Sequence, residues 1–198
     1  MKAIYVAPAK GEQWSNGTDF RTMHAMKKEG NTERLAEYLQ QLYQLQTQIA
    51  KTNKPIVAAA PGHAFNSGAT LLASCGFPMM TIDSKMAFNE CTFGFVPHSG
   101  ATYYLSRLPQ EVGTFLALTG LPIHGTDAAK LGLVDGLLQT TNLVEEDAAD
   151  VIYSMGHVEA DMWDHFVANG DRYAGPLVRD TMRSSAIEAQ HKQNALLD

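Results

Sequence analysis

The spacing of apolar and small residues predicts a strand, a turn and a helix in the middle of the chain. Residues 56–60 form an apolar run between two prolines, which indicates a buried strand. A proline–glycine pair follows as turn punctuation, and residues 69–75 have helical character with Asn66 or Ser67 as the N-cap. Because small residues open this helix, its first backbone N–H groups can hold an anion or a developing oxyanion.

Strands and helices alternate along the rest of the chain, which favours the α/β class. Asn31 or Thr32 is predicted to cap a long amphipathic helix with apolar residues at helical spacing, namely Leu35, Leu39, Leu42, Leu45 and Ile49. Further helices are predicted over residues 20–28, 101–108, 112–118 and 127–131, and short strands over residues 3–7, 79–82, 85–89 and 134–138. We expect a core over residues 1–140 and a helical C-terminal region over residues 141–198.

Composition and charge narrow the functional classes. A chain of 198 residues is long enough for one sizeable core, so one domain is expected. The net charge of −6 argues against direct nucleic-acid binding and against an anionic membrane face. Cys75 and Cys91 form no CxxC pair, which argues against a disulfide framework and a thiolate metal site. No apolar run approaches the roughly 18 residues of a membrane span.

Two loops offer glycine-flanked backbone N–H groups next to a strand end. One covers residues 16–19 and the other residues 66–68. A pair of N–H groups from separate loops is the usual construction of an oxyanion hole, which stabilises a negatively charged oxygen. From spacing alone, two ordinary strand-to-helix turns are the commoner explanation.

Glu90 and His98 are the candidate acid–base residues. Glu90 follows an apolar strand and could act as a general acid or base if it is partly buried. His98 lies in a loop rich in glycine and proline and could titrate near neutrality. The alternatives, which spacing alone favours, are a solvated loop glutamate and a surface or turn histidine.

Two other chemistries find little support in the sequence. Ser67 opens a helix after a strand, but the Gly-x-Ser-x-Gly pattern of a nucleophile elbow is absent around it. His157, Asp161 and His165 are spaced four residues apart and would share one helical face. Because no cysteine or further ligand accompanies them, a solvated helix face is favoured over a metal site, and no metal is expected.

Several blocks of sequence, taken in order, carry a family resemblance. They are WSNGTDFR at residues 14–21, KPIVA at 54–58, GHAFNSG at 62–68, MAFNE at 86–90, GFVPHSGA at 94–101 and AAKLGLVD at 128–135. This series resembles the crotonase, or enoyl-CoA hydratase/isomerase, superfamily. The blocks YYLSRLP at 103–109 and FLALTG at 115–120 are most similar to its 3-hydroxyisobutyryl-CoA hydrolase branch.

The resemblance implies a crotonase-like fold of repeated ββα units and a thioester site. The backbone N–H groups of Thr18 and Ser67 would polarise the thioester carbonyl, and Glu90 would attack the thioester or activate water. His98 is a second candidate catalytic residue in its loop, and Arg21 would lie near the phosphates of coenzyme A. Coenzyme A would enter only as part of an acyl-CoA substrate, with no separate cofactor.

Three departures from the family pattern bear on catalysis. Thr70 stands where hydratases carry a second catalytic glutamate, which argues against water addition to an enoyl-CoA. His98 replaces an aspartate of the hydrolase branch, and Asn66 with Ser67 replaces two glycines. Compared with the family, the first strands are missing from this chain. A sheet without them exposes an edge, which we expect another protein chain or a second copy to cover.

Two functions from different classes therefore remain open. The chain is either an acyl-CoA thioester hydrolase or a catalytically reduced subunit with a structural role in a larger assembly. The departures favour the second. Proteins that resemble the hydrolase branch occur as subunits of some mitochondrial ribosomes, so the resemblance implies a mitochondrial location and an assembly such as a ribosome or a respiratory complex.

Overall fold

The structure, a computed structural model, describes residues 4–9 and 12–138. The helical region predicted over residues 141–198 lies outside the described residues. The helices are α1 (Phe20–Lys28), α2 (Thr32–Lys51), α3 (Ser67–Ser74), α4 (Ala101–Leu105), α5 (Val112–Thr119) and α6 (Gly125–Lys130). The strands are β1 (Ile4–Val6), β2 (Ile56–Ala60), β3 (His63–Phe65), β4 (Phe77–Thr81), β5 (Lys85–Ala87), β6 (Ile123–His124) and β7 (Gly136–Leu138). A short 3-10 helix covers Glu90–Phe93.

A four-stranded parallel sheet in the order β1-β2-β4-β7 forms the centre of the fold. All five residues of β2 are buried, because a parallel sheet is covered on both faces and its inner strands are apolar throughout. A second sheet in the order β3-β5-β6 pairs β3 with β5 in parallel and β5 with β6 antiparallel. The predicted α/β class is confirmed.

The predicted strands exist, but several boundaries differ. The strand expected at residue 79 is β4, which begins at Phe77 and includes the buried Pro78. The strand expected at residue 134 begins at Gly136. Neither β3 nor β6 was predicted, because strands of three and two residues are too short to show an alternating pattern. Helix α4 is shorter than predicted and ends at Leu105. Beyond it the chain forms tighter turns, in which the Leu108 N–H donates to the carbonyl three residues earlier, that of Leu105.

Helix α2 is confirmed, but its apolar stripe was assigned wrongly at one position. The Asn31 side chain accepts a hydrogen bond from the Arg34 N–H at 3.2 Å, so the predicted cap is correct. Leu45 is 47% exposed, whereas Gln46 is only 8% exposed. The inward row therefore passes through Gln46 and on to the partly buried Ile49. A glutamine consequently faces the interior from this helix.

The hydrophobic core fixes α3 and the loop before it. One cluster of buried side chains joins β2, β4, α3, α4 and α6. Seven of the eight residues of α3 are buried. The largest fully buried apolar side chains are Phe88, Leu72, Met80, Met86 and Leu133. In residues 4–9 and 12–138, no helix is long and apolar enough to cross a membrane.

Candidate active site

The two predicted loops lie against each other at the start of α3. Ser15 forms an isolated parallel bridge with Ala64, and the Phe65 N–H donates to the Ser15 carbonyl at 2.9 Å. Gly17 has a φ of +81°. A Cβ atom at Gly17 would lie 2.4 Å from the Phe65 carbonyl oxygen and 2.9 Å from the Ser67 nitrogen. Only glycine permits this backbone conformation and this close approach together.

The backbone N–H groups of Thr18 and Ser67 are both available at this junction. Both residues are buried. Neither N–H donates a hydrogen bond to any acceptor in the described part of the chain. Buried N–H groups are nearly always paired, so two open ones in adjoining loops can accept a ligand oxygen. The structure thus brings together the two residues predicted as oxyanion donors, and that role stays a prediction.

Side chains of the two loops form a hydrogen-bonded chain that includes His98. Thr18 Oγ1 donates to Ser67 Oγ at 2.9 Å and lies 3.0 Å from His98 Nε2. The Thr18 hydroxyl donates its single proton to Ser67 Oγ, so it can only accept a hydrogen bond from His98. Nε2 of His98 therefore carries a proton and donates to Thr18 Oγ1. The other ring nitrogen, Nδ1, is hydrogen-bonded to the Ser99 hydroxyl.

His98 lies in an aromatic and largely dry environment. Its ring centroid is 5.2 Å from that of Phe95, 6.2 Å from that of Tyr43 and 6.3 Å from that of Phe20. His98 is 7% exposed, so a surface or turn histidine is the wrong description. Burial lowers the pKa of His98 below its ordinary value, because the charged imidazolium loses hydration there.

Glu90 is the first residue of the 3-10 helix and is completely enclosed. It is 0% exposed, so the solvated loop glutamate is also the wrong description. Neither carboxyl oxygen has a hydrogen-bond partner among the described residues. Desolvation raises the pKa of Glu90, and attraction to the backbone N–H groups of Glu90 and His98 offsets only part of this increase. The site therefore stabilises the protonated, neutral form of Glu90 relative to the same side chain in water.

The remaining predicted residues lie around this cluster in different ways. Arg21 is exposed in the first turn of α1, and its backbone N–H donates to Asp19 Oδ1 at 3.0 Å. Thr70 is fully buried on α3. Asn66 occupies the N-cap position with a φ of 52°, but its side chain does not cap the helix. Its amide donates instead to the Asn16 carbonyl at 3.3 Å, which ties the two loops together.

A cavity of about 570 Å³ lies beside His98 and was not predicted from the sequence. Residues of α2, the 98–100 loop and α4 line it. Gln46 and Tyr43 of α2 are the residues that the sequence interpretation missed. The available signal was a polar residue within the apolar stripe, which was assigned to the neighbouring Leu45.

No metal centre is found in the described residues. They contain no group of three or more histidine, cysteine, aspartate or glutamate side chains that could hold an ion. The spaced residues His157, Asp161 and His165 lie outside the described part of the chain.

Comparison with known proteins gives the class to which this fold and site belong. Residues 1–175 match the model of the family described as Enoyl-CoA hydratase/isomerase, and the chain belongs to this family. A crystal structure of a carnitinyl-CoA dehydratase from Mycobacterium thermoresistibile matches with a TM-score of 0.65 and 29% sequence identity. That match covers 78% of this chain and 43% of the other. The family resemblance and the crotonase-like fold are thereby confirmed.

Two curated relatives make the comparison more specific. The small ribosomal subunit protein mS47 of Arabidopsis thaliana is 32% identical over 123 residues, which cover 62% of this chain and 30% of the relative. The mitochondrial 3-hydroxyisobutyryl-CoA hydrolase of Rattus norvegicus is 32% identical over 141 residues, which cover 71% of this chain and 36% of the relative. The chain therefore spans about a third of the length of each.

Proposed function

We propose that this chain is a catalytically reduced crotonase-type subunit of a larger mitochondrial assembly, such as a ribosome. The observation that carries the proposal is the enclosure of Glu90, whose side chain has no exposed surface. A general base must come within hydrogen-bond reach of the proton that it removes, and a nucleophile must touch its carbon. Glu90 offers no surface for either contact in this arrangement.

The hydroxyl groups of the two loops support the same proposal. Thr18 and Ser67 bond to each other, and His98 Nε2 is hydrogen-bonded to Thr18 Oγ1. These groups stabilise the junction between the loops and are engaged with one another. A neutral histidine with both ring nitrogens occupied is also a poor substitute for the aspartate that the hydrolase branch places there.

An exposed apolar surface gives the proposed subunit a place to contact other chains. We call it the α5 surface: it consists of large apolar side chains of α5, the 3-10 helix and the adjoining loops, namely Phe93, Val96, Phe115, Leu118 and Leu121. Each is more than half exposed, with Leu118 at 72% and Val96 at 66%. Cys91 Sγ lies 3.0 Å from the Ala117 carbonyl, which holds the 3-10 helix against α5. Exposed groups of this kind are typical of protein contact sites.

The two relatives support the setting of the proposal. One is a small ribosomal subunit protein and the other a mitochondrial hydrolase. We therefore infer a mitochondrial location and protein partners for this chain as well. The predicted partner at the sheet edge is part of the proposal, since β1 stands at the end of the strand order among the described residues.

Affinity purification of a tagged chain from its native cells, followed by mass spectrometry, tests the proposal. We expect a fixed set of other proteins in constant proportion. Leu118→Asp should reduce their recovery, because a charge within the α5 surface opposes burial. Leu45→Asp, at an exposed leucine of α2 outside the α5 surface, is the matched control and should leave recovery unchanged. Recovery of the chain alone, or only with copies of itself, would contradict the proposal.

An acyl-CoA thioester hydrolase is the second candidate, and specific observations favour it. Glu90 has a raised pKa and two unpaired oxygens, and the N–H groups of Thr18 and Ser67 are open. In this candidate the two N–H groups stabilise the oxyanion, and Glu90 attacks the thioester or activates water once a ligand reaches it. Coenzyme A is then the leaving group of the substrate, with Arg21 near its phosphates, and no separate cofactor takes part.

Thiol release from short acyl-CoA substrates tests the second candidate. Activity that disappears in Glu90→Gln would support a hydrolase. The control is Glu111→Gln, an exposed glutamate that lies at the start of α5. Release that is absent, or that is the same in the Glu90→Gln variant, would exclude this candidate.

A further inference from the structure

We propose that His63, Lys85 and His124 form a binding site for an extended acidic segment of another protein. We call these three residues the basic row. The strand pairing places them side by side, since His63 is the register partner of Lys85, and Lys85 is that of His124. Register partners on neighbouring strands point to the same face of a sheet. Because neighbouring strands lie about 4.8 Å apart, the basic row extends over roughly 10 Å.

The basic row faces outward from the β3-β5-β6 sheet. The adjacent residue on each strand points to the opposite face and packs inward. Ala64 and Met86 are fully buried there, and Ile123 packs against the hydrophobic core. Two members of the basic row are exposed and the third is half-buried. A partner can therefore reach all three side chains from one side of the sheet.

No carboxylate of the described residues neutralises the basic row. None of its members forms an ion pair there, although Glu12, Asp83 and Asp127 lie on the segments around it. Asp127 lies 4.0 Å from Lys130 Nζ instead. Like charges directly opposite each other on neighbouring strands destabilise a sheet. The basic row therefore brings the isolated chain no stability when it is charged, and a negatively charged ligand would offset the repulsion.

Protection of a sheet edge does not account for the basic row. Lysine on an edge strand hinders unwanted pairing with another sheet. Lys85, however, stands on β5, which is the central strand of its sheet. The basic row thus runs across the face of the sheet, and this direction favours a ligand that lies on the face.

His63 is held in an orientation that can receive an anion. Its Nδ1 is hydrogen-bonded to Gln13 Oε1, and because this oxygen can only accept, Nδ1 carries a proton. In the part of the chain that the structure describes, Nε2 has no hydrogen-bond partner. Protonation of Nε2 offers a second N–H group to a ligand. The Phe65 ring, with its centroid 4.9 Å from that of His63, supplies an apolar contact beside the charges.

The length of the basic row and the charge of the whole chain favour a protein segment over a nucleic acid. In an extended chain, alternate side chains share a face about 7 Å apart, so two carboxylates can lie on either side of Lys85. The net charge of −6 repels a long polyanion such as RNA, but it permits a short acidic segment to pair with three local cations. The inference rests on the proposed function in that a partner chain of the assembly supplies the segment.

An NMR titration of the full chain with synthetic peptides tests the inference. The probe is a short peptide of alternating glutamate and threonine, and its control has glutamine in place of glutamate. The glutamate peptide should shift the imidazole signals of both histidines of the basic row. It should bind about fivefold more weakly to Lys85→Gln, as expected for the loss of an exposed ion pair. Lys54→Gln, at an exposed position outside the basic row, should bind it unchanged.

The pH dependence of binding gives a second readout. Histidine gains its proton near neutrality, so the basic row carries more positive charge at pH 6 than at pH 8. Carboxyl groups as a class titrate well below this range. The glutamate peptide should therefore bind about fivefold more tightly at pH 6, and the double variant of His63→Gln and His124→Gln should lose this preference. His24→Gln, at an exposed position on α1, should retain it.

Three results would overturn the inference: equal affinity for the two peptides, no binding of either, or an unchanged pH preference in the double variant. Tighter binding of a short single-stranded RNA than of the glutamate peptide would also overturn it, in favour of a nucleic acid. Because no partner chain takes part in the titration, its outcome is separate from that of the proposed function. Recovery of an assembly does not rescue a basic row that binds no peptide.

Discussion

The buried cluster around His98 and the exposed α5 surface use their side chains in opposite ways. In the cluster, Thr18, Ser67, His98 and Ser99 form a chain of hydrogen bonds, and Glu90 has no exposed area. At the α5 surface, Leu118 and Val96 are large, apolar and mostly in solvent. On the proposed function, the cluster around His98 serves the fold, and the α5 surface is left for contact with other molecules.

If this contrast holds, substitutions in the cluster change the free energy of unfolding, and substitutions on the α5 surface change assembly. The largest effect is expected at the junction of the two loops. Gly17→Ala would place a Cβ 2.4 Å from the Phe65 carbonyl oxygen in a backbone with φ of +81°. We expect a loss of about 3 to 5 kcal/mol in urea unfolding.

Gly30→Ala is the matched control for Gly17→Ala. Gly30 also has a positive φ, of +72°, but nothing lies within 4 Å of its Cβ position. It should lose only about 1 to 2 kcal/mol from backbone strain. Similar losses in the two variants would mean that the close approach of the oxyanion loops contributes little to stability.

The next largest effect is expected at His98. His98→Ala removes a buried ring and leaves Thr18 without its donor, at a cost of about 3 kcal/mol. Ser99→Ala, which removes only the bond to Nδ1, should cost about 1 kcal/mol. Equal unfolding midpoints for His98→Ala and the unaltered chain would contradict the packing role.

The lowered pKa of His98 also predicts a pH dependence. The folded state prefers the neutral ring, so its contribution is complete above the ordinary pKa of 6.5 and is lost as pH falls below that value toward the lowered pKa. Unfolding between pH 7 and pH 5 should therefore show falling stability, and the slope should be smaller in His98→Gln. The same dependence of stability on pH in both proteins would mean that other titratable groups cause the loss of stability at acid pH.

A smaller effect of opposite sign is expected at Glu90. Its pKa is raised in the folded state. The contribution of Glu90 to the free energy of unfolding is therefore complete below the ordinary pKa of 4.5 and declines as pH rises through the raised pKa. At neutral pH, Glu90→Gln should therefore increase the free energy of unfolding by about 1 kcal/mol, because it removes the cost of a buried charge. The gain should vanish at pH 4. A stability loss at neutral pH would indicate that the carboxylate is paired.

The smallest effect on folding is expected at the α5 surface. Leu118 is 72% exposed, so Leu118→Asp should change the free energy of unfolding by less than about 0.5 kcal/mol. The same substitution should reduce recovery of partner chains. A loss of several kcal/mol in the isolated chain would show that Leu118 packs within the subunit, and would remove the α5 surface as a separate contact site.

Local sequence patterns were sufficient to predict the framework of the fold. Strand β2 is a continuous apolar run bounded by prolines, and the cap at Asn31 has a direct chemical signature. The two loops were predicted because glycine and small polar residues mark both. Strand β3 was missed because three residues cannot show a period.

The contacts that define the site depend on distant parts of the chain. Thr18 and His98 are 80 residues apart, and no local pattern predicts their hydrogen bond. The burial of Glu90 likewise depends on the packing around it, so spacing alone favoured a solvated residue. Gln46 was missed because an exposed leucine beside it satisfied the expected apolar stripe. Its burial follows from the exact rotation of α2 against the core.

Sedimentation of native material through a density gradient, with thiol release from acyl-CoA measured across the same fractions, tests the central claim most directly. The account predicts that the chain sediments with a large assembly and that these fractions show no release dependent on Glu90. A chain that sediments as a free small oligomer, with thiol release that Glu90→Gln abolishes, would contradict it.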